Sequence, residues 1–180
     1  MIDIDWSTLN RPNVDTQFRI YSIICSAARE FQSPRFRKPV NLVRIIDPIK
    51  IEFLDFEEIH LPEQDLIFET CGDHRYDEET GIHYVKINKE EINIEKDLLL
   101  TSFHEFSHAY DWITSQLRFP SKLFNPLTEM RAYSREMELA LTLNPRLWKT
   151  LEERTKELEW IERRKRYYEK LLKAYSFRSN

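Results

Sequence analysis

The chain has 180 residues, 41% hydrophobic and 13% aromatic, with a formal net charge of -4. That is enough apolar material to bury the core of a single domain. No apolar run approaches membrane-spanning length, Met1-Ile2-Asp3-Ile4-Asp5 has neither the basic start nor the apolar core of a signal peptide, and Cys25 and Cys71 alone make no disulfide framework. The expected setting is therefore reducing: the cytoplasm, or export as an effector whose signal leaves no hydrophobic mark.

Two glycines in the whole chain fit a helical protein with little loop. Residues 15 to 31 read as a helix with Phe18, Tyr21, Cys25, Ala28 and Phe31 on one face, ended by Ser33-Pro34. A small basic loop follows at Arg35, Arg37 and Lys38. Residues 40 to 47 and 49 to 56, separated by Pro48, alternate Val, Ile and Phe with polar residues and predict two strands. Residues 65 to 71 and 82 to 88 predict two more, the last after an Asp-Glu-Glu-Thr-Gly turn. No Gly or Pro falls between Gly81 and Pro120, and Asn93 followed by Glu95 starts a long helix. Its stripe is Leu99, Phe103, Phe106, Tyr110, Ile113 and Leu117. A further helix opens at Asn125-Pro126, with Asn125 as N-cap and Pro126 at the first helical position.

After Asn144-Pro145 the composition shifts. Residues 146 to 180 hold eleven Lys or Arg and six Glu, net +5, leaving -9 on the first 145. The expected organisation is a domain over 1–145 and a charged C-terminal helix over 146–180 that belongs to it. Arg163-Arg164-Lys165-Arg166 suits an acidic or nucleic-acid partner. The favoured reading is a solvated face laced with pairs such as Glu162–Arg166, so nucleic acid is not the expected partner. Whether this helix packs back on the domain or pairs with another copy stays open.

The chemistry concentrates in His104-Glu105-Phe106-Ser107-His108, an H-E-x-x-H motif inside the long predicted helix. Histidines at i and i+4 lie about 40° apart around a helix, so both imidazoles can reach one metal ion. Glu105 flanks the same face and can hold a proton-accepting carboxylate beside water at the metal. At about 100° per residue, His104, His108 and Asp111 fall largely opposite the apolar stripe. Hydrolytic zinc takes three protein ligands and keeps one position open. Downstream of His108 there is no histidine, so the third ligand should be a carboxylate. Two candidates stand. Glu129 lies early in the next predicted helix, with twenty residues between it and His108, on a face shared with Ala132 and Glu136. Asp111 lies one turn beyond His108, and either Asp111 or Glu136 can instead orient a ligand histidine through its other nitrogen.

An H-E-x-x-H helix followed by Glu on a second helix resembles the gluzincin zinc peptidases, thermolysin-like enzymes among them. His104-Glu105-Phe106-Ser107-His108-Ala109-Tyr110-Asp111 and Thr128-Glu129-Met130-Arg131-Ala132 are also similar to runs in the family of the mitochondrial inner-membrane peptidase that assists ATP-synthase assembly. Bacterial effector metallopeptidases share the His-Glu-x-x-His-Ala-Tyr flavour. The similarity covers residues 98 to 140; the chain lacks the mitochondrial family's many cysteines and its Gly-Asp-Cys stretch after the alanine. The resemblance implies His104, His108 and Glu129 as zinc ligands and Glu105 as general base. It also implies an α+β, zincin-like fold: N-terminal helix, small mixed sheet, active-site helix, ligand helix and long C-terminal helix. In that arrangement an edge strand, here expected at His83–Asn88, pairs with an extended protein or peptide substrate. Tyr84 and Tyr133 are the candidate oxyanion donors. The expected function is zinc-dependent peptide-bond hydrolysis by water that Glu105 activates. The alternative is a non-catalytic zincin-fold module whose basic C-terminal helix docks a protein or nucleic acid.

Overall fold

The computed structural model describes residues 1–45, 48–55, 59–61, 66–68, 71–114 and 126–176. The fold is α+β, with four α-helices and a small mixed four-stranded sheet. In chain order the elements are β1 (Ile2–Ile4), α1 (Val14–Arg29), β2 (Ile49–Leu54), β3 (Ile59–Leu61), β4 (Leu66–Phe68), β5 (Gly72–Asp77), β6 (Ile82–Asn88), α2 (Glu95–Ile113), α3 (Pro126–Thr142) and α4 (Leu151–Ser176). Two compact units divide the chain, Met1–Phe106 and Ser107–Asn180, and the division falls inside α2. Among the described residues no helix is long and apolar enough to cross a membrane.

The first unit is built on the sheet β1-β2-β6-β5. β1, β2 and β6 run parallel, with Ile2 opposite Ile49 and Ile49 opposite His83, while β5 joins β6 antiparallel with Gly72 opposite Ile87. Alternation puts Ile49, Ile51, Phe53, Val85 and Ile87 on the buried face, each fully shielded from solvent. Burying side chains of this size contributes about 1.5–3 kcal/mol each. The β5–β6 turn forms as expected. Asp77 Oδ1 accepts from the amides of Glu79 and Thr80, and Gly81 takes a φ of 68° that L residues rarely adopt. β3 and β4 form a separate antiparallel pair.

Three expectations need correction here. Residues 41–45 of the strand predicted at 40 to 47 form turns, and 46–47 lie outside the described residues. The Val40 amide donates to Phe31 O and the Arg44 amide to Asn41 O, so these backbone groups are used locally rather than in a ladder. β6, expected at the edge, lies between β2 and β5; the edge strands are β1 and β5, and β5 is one the sequence reading missed. On α1, capped by Asn13 accepting from the Thr16 amide, the buried residues are Ile20, Ile23, Ile24, Cys25, Ala27 and Ala28, so Cys25 and Ala28 of the expected face, with Phe31 just beyond the helix, are inside. Phe18 and Tyr21 are 73% and 41% exposed, because the aliphatic stripe beside them takes the core.

The described residues of the second unit are mainly helical. α3 begins at Pro126 as predicted, while Leu117 and the proposed cap Asn125 lie outside the described residues. α4 packs along α3, where Tyr168 stacks on Tyr133 at 5.7 Å and Trp160 meets the Tyr133 ring edge-on at 6.2 Å. The Arg154 guanidinium closes the connection by donating to Leu141 O at 2.9 Å.

Candidate metal centre

Helix α2 is buried along most of its length from Leu98 to Asp111. A 3-10 turn over Lys89–Asn93, capped by Asn88 accepting from the Glu90 amide, leads into it, and the Thr101 hydroxyl donates back to Glu91 at 3.0 Å. Phe103 stacks on Phe31 at 4.7 Å, with the Arg35 guanidinium over the Phe103 ring. From Thr101 to Asp111 every residue except His108 is buried. The residues expected opposite the stripe do not lie on a solvent face: Ser102, His104, Glu105, Ser107 and Asp111 are inside, and His108 is half-buried. A buried polar group without a partner costs about 1–3 kcal/mol, and in this row Ser102 Oγ and Asp111 Oδ2 are left without one among the described residues.

Two turns of this helix and the first turn of α3 bring three donors together. His104, His108 and Glu129 each offer one ligand atom, all within 4.8 Å of one another. Among the described residues this is the group of three able to hold a metal ion, and Asp111 is not in it. His108 Nε2 stands 3.4 Å from Glu129 Oε1. A charge-assisted N–H···O bond closes to about 2.7–2.9 Å. Two donors at about 2.0–2.1 Å from one tetrahedral zinc are instead separated by about 3.3 Å. The His108–Glu129 spacing is close to the second value, and the three donor atoms together lie within 4.8 Å of one another. Glu105, 5% exposed, follows His104 directly and rests against the backbone of Gly72 on β5.

Asp111 is occupied otherwise. Its Oδ1 accepts from Arg135 Nη2 at 2.6 Å and from Arg131 Nη2 at 3.1 Å, and Arg135 also donates to Ser107 O and lies over the Tyr110 ring. Asp111 thus ties the end of α2 to α3, which carries Glu129. Glu136 is buried on the Glu129 face of α3. Tyr133, also buried, has its phenol pushed well above the usual tyrosine range. Burial is the main cause; Glu129 and Glu136 push the same way and Arg164 opposes them. Tyr133 is therefore a neutral O–H donor at any ordinary pH. Tyr84 is placed differently. It pairs with Lys50 in register and lines a shallow depression with Asp3, Lys50 and Glu52, on the opposite sheet face from Gly72 and Glu105. An oxyanion role for Tyr84 is not compatible with that face.

Sequence reading missed Gly72, Arg131 and Arg135. The arginines had a signal, an i,i+4 pair on the helix of Glu129 with the spacing to grip one acid. Gly72 stood in Cys71-Gly72-Asp73-His74, a polar run with no periodicity to mark it, and Cys71 is half-buried. Beside Gly72 on the same strand, His74 Nε2 lies 3.0 Å from Nδ1 of the fully buried His83. Compared with known proteins, the chain matches no family model, no curated protein and no solved structure.

Proposed function

We propose that this chain is a zincin-like zinc endopeptidase of gluzincin type. His104, His108 and Glu129 hold the metal, and Glu105 is the general base. The observation that carries the reading is the convergence of two imidazoles from α2 and one carboxylate from α3, at donor spacing, beside a buried glutamate. A purely structural site needs no such base. Zinc bound there polarises a peptide carbonyl and acidifies water. Glu105 takes the proton of the attacking water and passes it to the leaving amine. Tyr133, held protonated, is the candidate donor to the developing oxyanion.

Substrate binding is assigned to β5. The Asn88 amide donates to Cys71 O at 2.8 Å, and from that bond antiparallel alternation turns the N–H and C=O of Gly72, His74 and Tyr76 away from β6. An extended segment can add to those groups by main-chain pairing, so the substrate is an unfolded or loop region of a protein.

Metal analysis of natively purified protein tests the site, with about one zinc per chain expected. Glu105→Gln should keep zinc and fold while hydrolysis of a denatured protein substrate falls by roughly 10²–10⁴-fold. Absence of zinc sinks the site, and wild-type hydrolysis by Glu105→Gln sinks the mechanism.

A further inference from the structure

We infer that Gly72 is a positioning residue for Glu105: the bare α-carbon of β5 is the surface on which the carboxylate rests, and any side chain there displaces it. A Cβ built on Gly72 would stand 2.5 Å from Glu105 Oε1, 2.8 Å from its Cγ and 2.9 Å from its Cδ. Ordinary carbon contacts lie at about 3.5–4.0 Å, so three atoms of one side chain would have to retreat together. At 5% exposure, Glu105 has little room to do so without leaving its site.

Backbone conformation does not explain the glycine. Gly81 is the glycine with positive φ; Gly72 lies in strand conformation, where glycine is weaker than alanine. A chain with only two glycines has one at a strand position that alanine would serve better, unless space is what matters. The same residue turns its N–H and C=O away from β6, toward the outer side of β5 in the four-stranded sheet. The carboxylate is thereby held over the strand along which a peptide would pair. This catalytic consequence rests on the peptidase reading; the steric coupling does not.

Four proteins test it: wild type, Gly72→Ala, Glu105→Ala and the double variant. Gly72→Ala should lower Tm when Glu105 is present and raise it when residue 105 is alanine, because the clash is gone and only the strand preference remains. Equal shifts in both backgrounds overturn the inference. Should Gly72→Ala fail to fold, Glu105→Ala should restore folding, and failure of that rescue has the same force. On a denatured protein substrate, Gly72→Ala should lose at least about tenfold in kcat, with KM and zinc content within about twofold of wild type. Unchanged kcat overturns the positioning role. If the wild type cleaves nothing, the peptidase reading falls, while the Tm cycle still decides the contact.

Discussion

Helices α2 and α4 both carry many polar side chains, and they place them oppositely. In α2 the row from Thr101 to Asp111 is buried, His108 alone being half-open. Among the residues of α4 whose burial is described, only Ile161 and Tyr168 are buried, and the charges pair along the helix surface, Glu152 with Lys156 at 2.7 Å and Glu162 with Arg166 at 2.8 Å. Water satisfies a polar group in α4 whatever its neighbours do. A buried polar group in α2 depends on partners from the protein itself: Asp111 finds them in Arg131 and Arg135, while Ser102 Oγ finds none among the described residues. The basic run that suggested a docking surface belongs to the helix where charge is least informative.

The largest effects that would sharpen this contrast lie at the two acids rivalling one another for the metal. Glu129→Ala should abolish tight zinc binding, read by chelator competition, with the fold retained. Asp111→Ala should destabilise the protein by about 3 kcal/mol, because it leaves two guanidinium groups facing a vacated buried site. Its zinc affinity should fall only about 10- to 100-fold, through loss of α3 alignment. Zinc lost in Asp111→Ala and kept in Glu129→Ala would reverse the assignment.

A smaller effect comes from the α3–α4 contact. Tyr133 and Tyr168 both have phenols raised above the usual range, chiefly by burial. Above pH of about 10 the unfolded chain releases these protons and the folded one keeps them, so stability falls as pH rises. Each tyrosine contributes a slope of up to about 1.4 kcal/mol per pH unit. Denaturant titrations from pH 9 to 11 should show that slope, and Tyr168→Phe should reduce it. An unchanged slope would mean that the ring is not buried as described.

The smallest effect belongs to α4. Arg166→Ala should cost about 0.3–0.5 kcal/mol, shrinking further in salt. A loss above about 1.5 kcal/mol would show that this charge behaves like those of α2 rather than as a solvated pair.

How much of this was legible depended on distance along the chain. The H-E-x-x-H spacing needs only a helix to become geometry, and Pro126 announced the helix of Glu129. The Glu162–Arg166 pair followed from the same i,i+4 rule. β5 was not legible. Its sequence Gly-Asp-His-Arg-Tyr-Asp is polar, and its inward positions are glycine, histidine and tyrosine rather than aliphatic. The apolar run Val40-Asn41-Leu42-Val43 misled in the other direction. Only Leu42 is fully buried, and the backbone turns instead of extending. The all-round burial of α2 is a tertiary fact that no local period carries.

The parallel register of the sheet also governs how the molecule is made. Ile2 finds Ile49, and Ile49 finds His83, only after the intervening chain has been gathered into closed loops, whose entropy is lost before any ladder bond forms. The described residues from Ser107 onward are mainly helical, and helices form from near neighbours. Chains rich in local contacts fold in microseconds to milliseconds, and those dominated by distant pairings take up to seconds. The sheet should therefore be the slow step of folding. Until β6 is in place, β2 lacks the neighbour that makes it an interior strand, and its Ile-Lys-Ile-Glu-Phe-Leu edge is exposed to other chains.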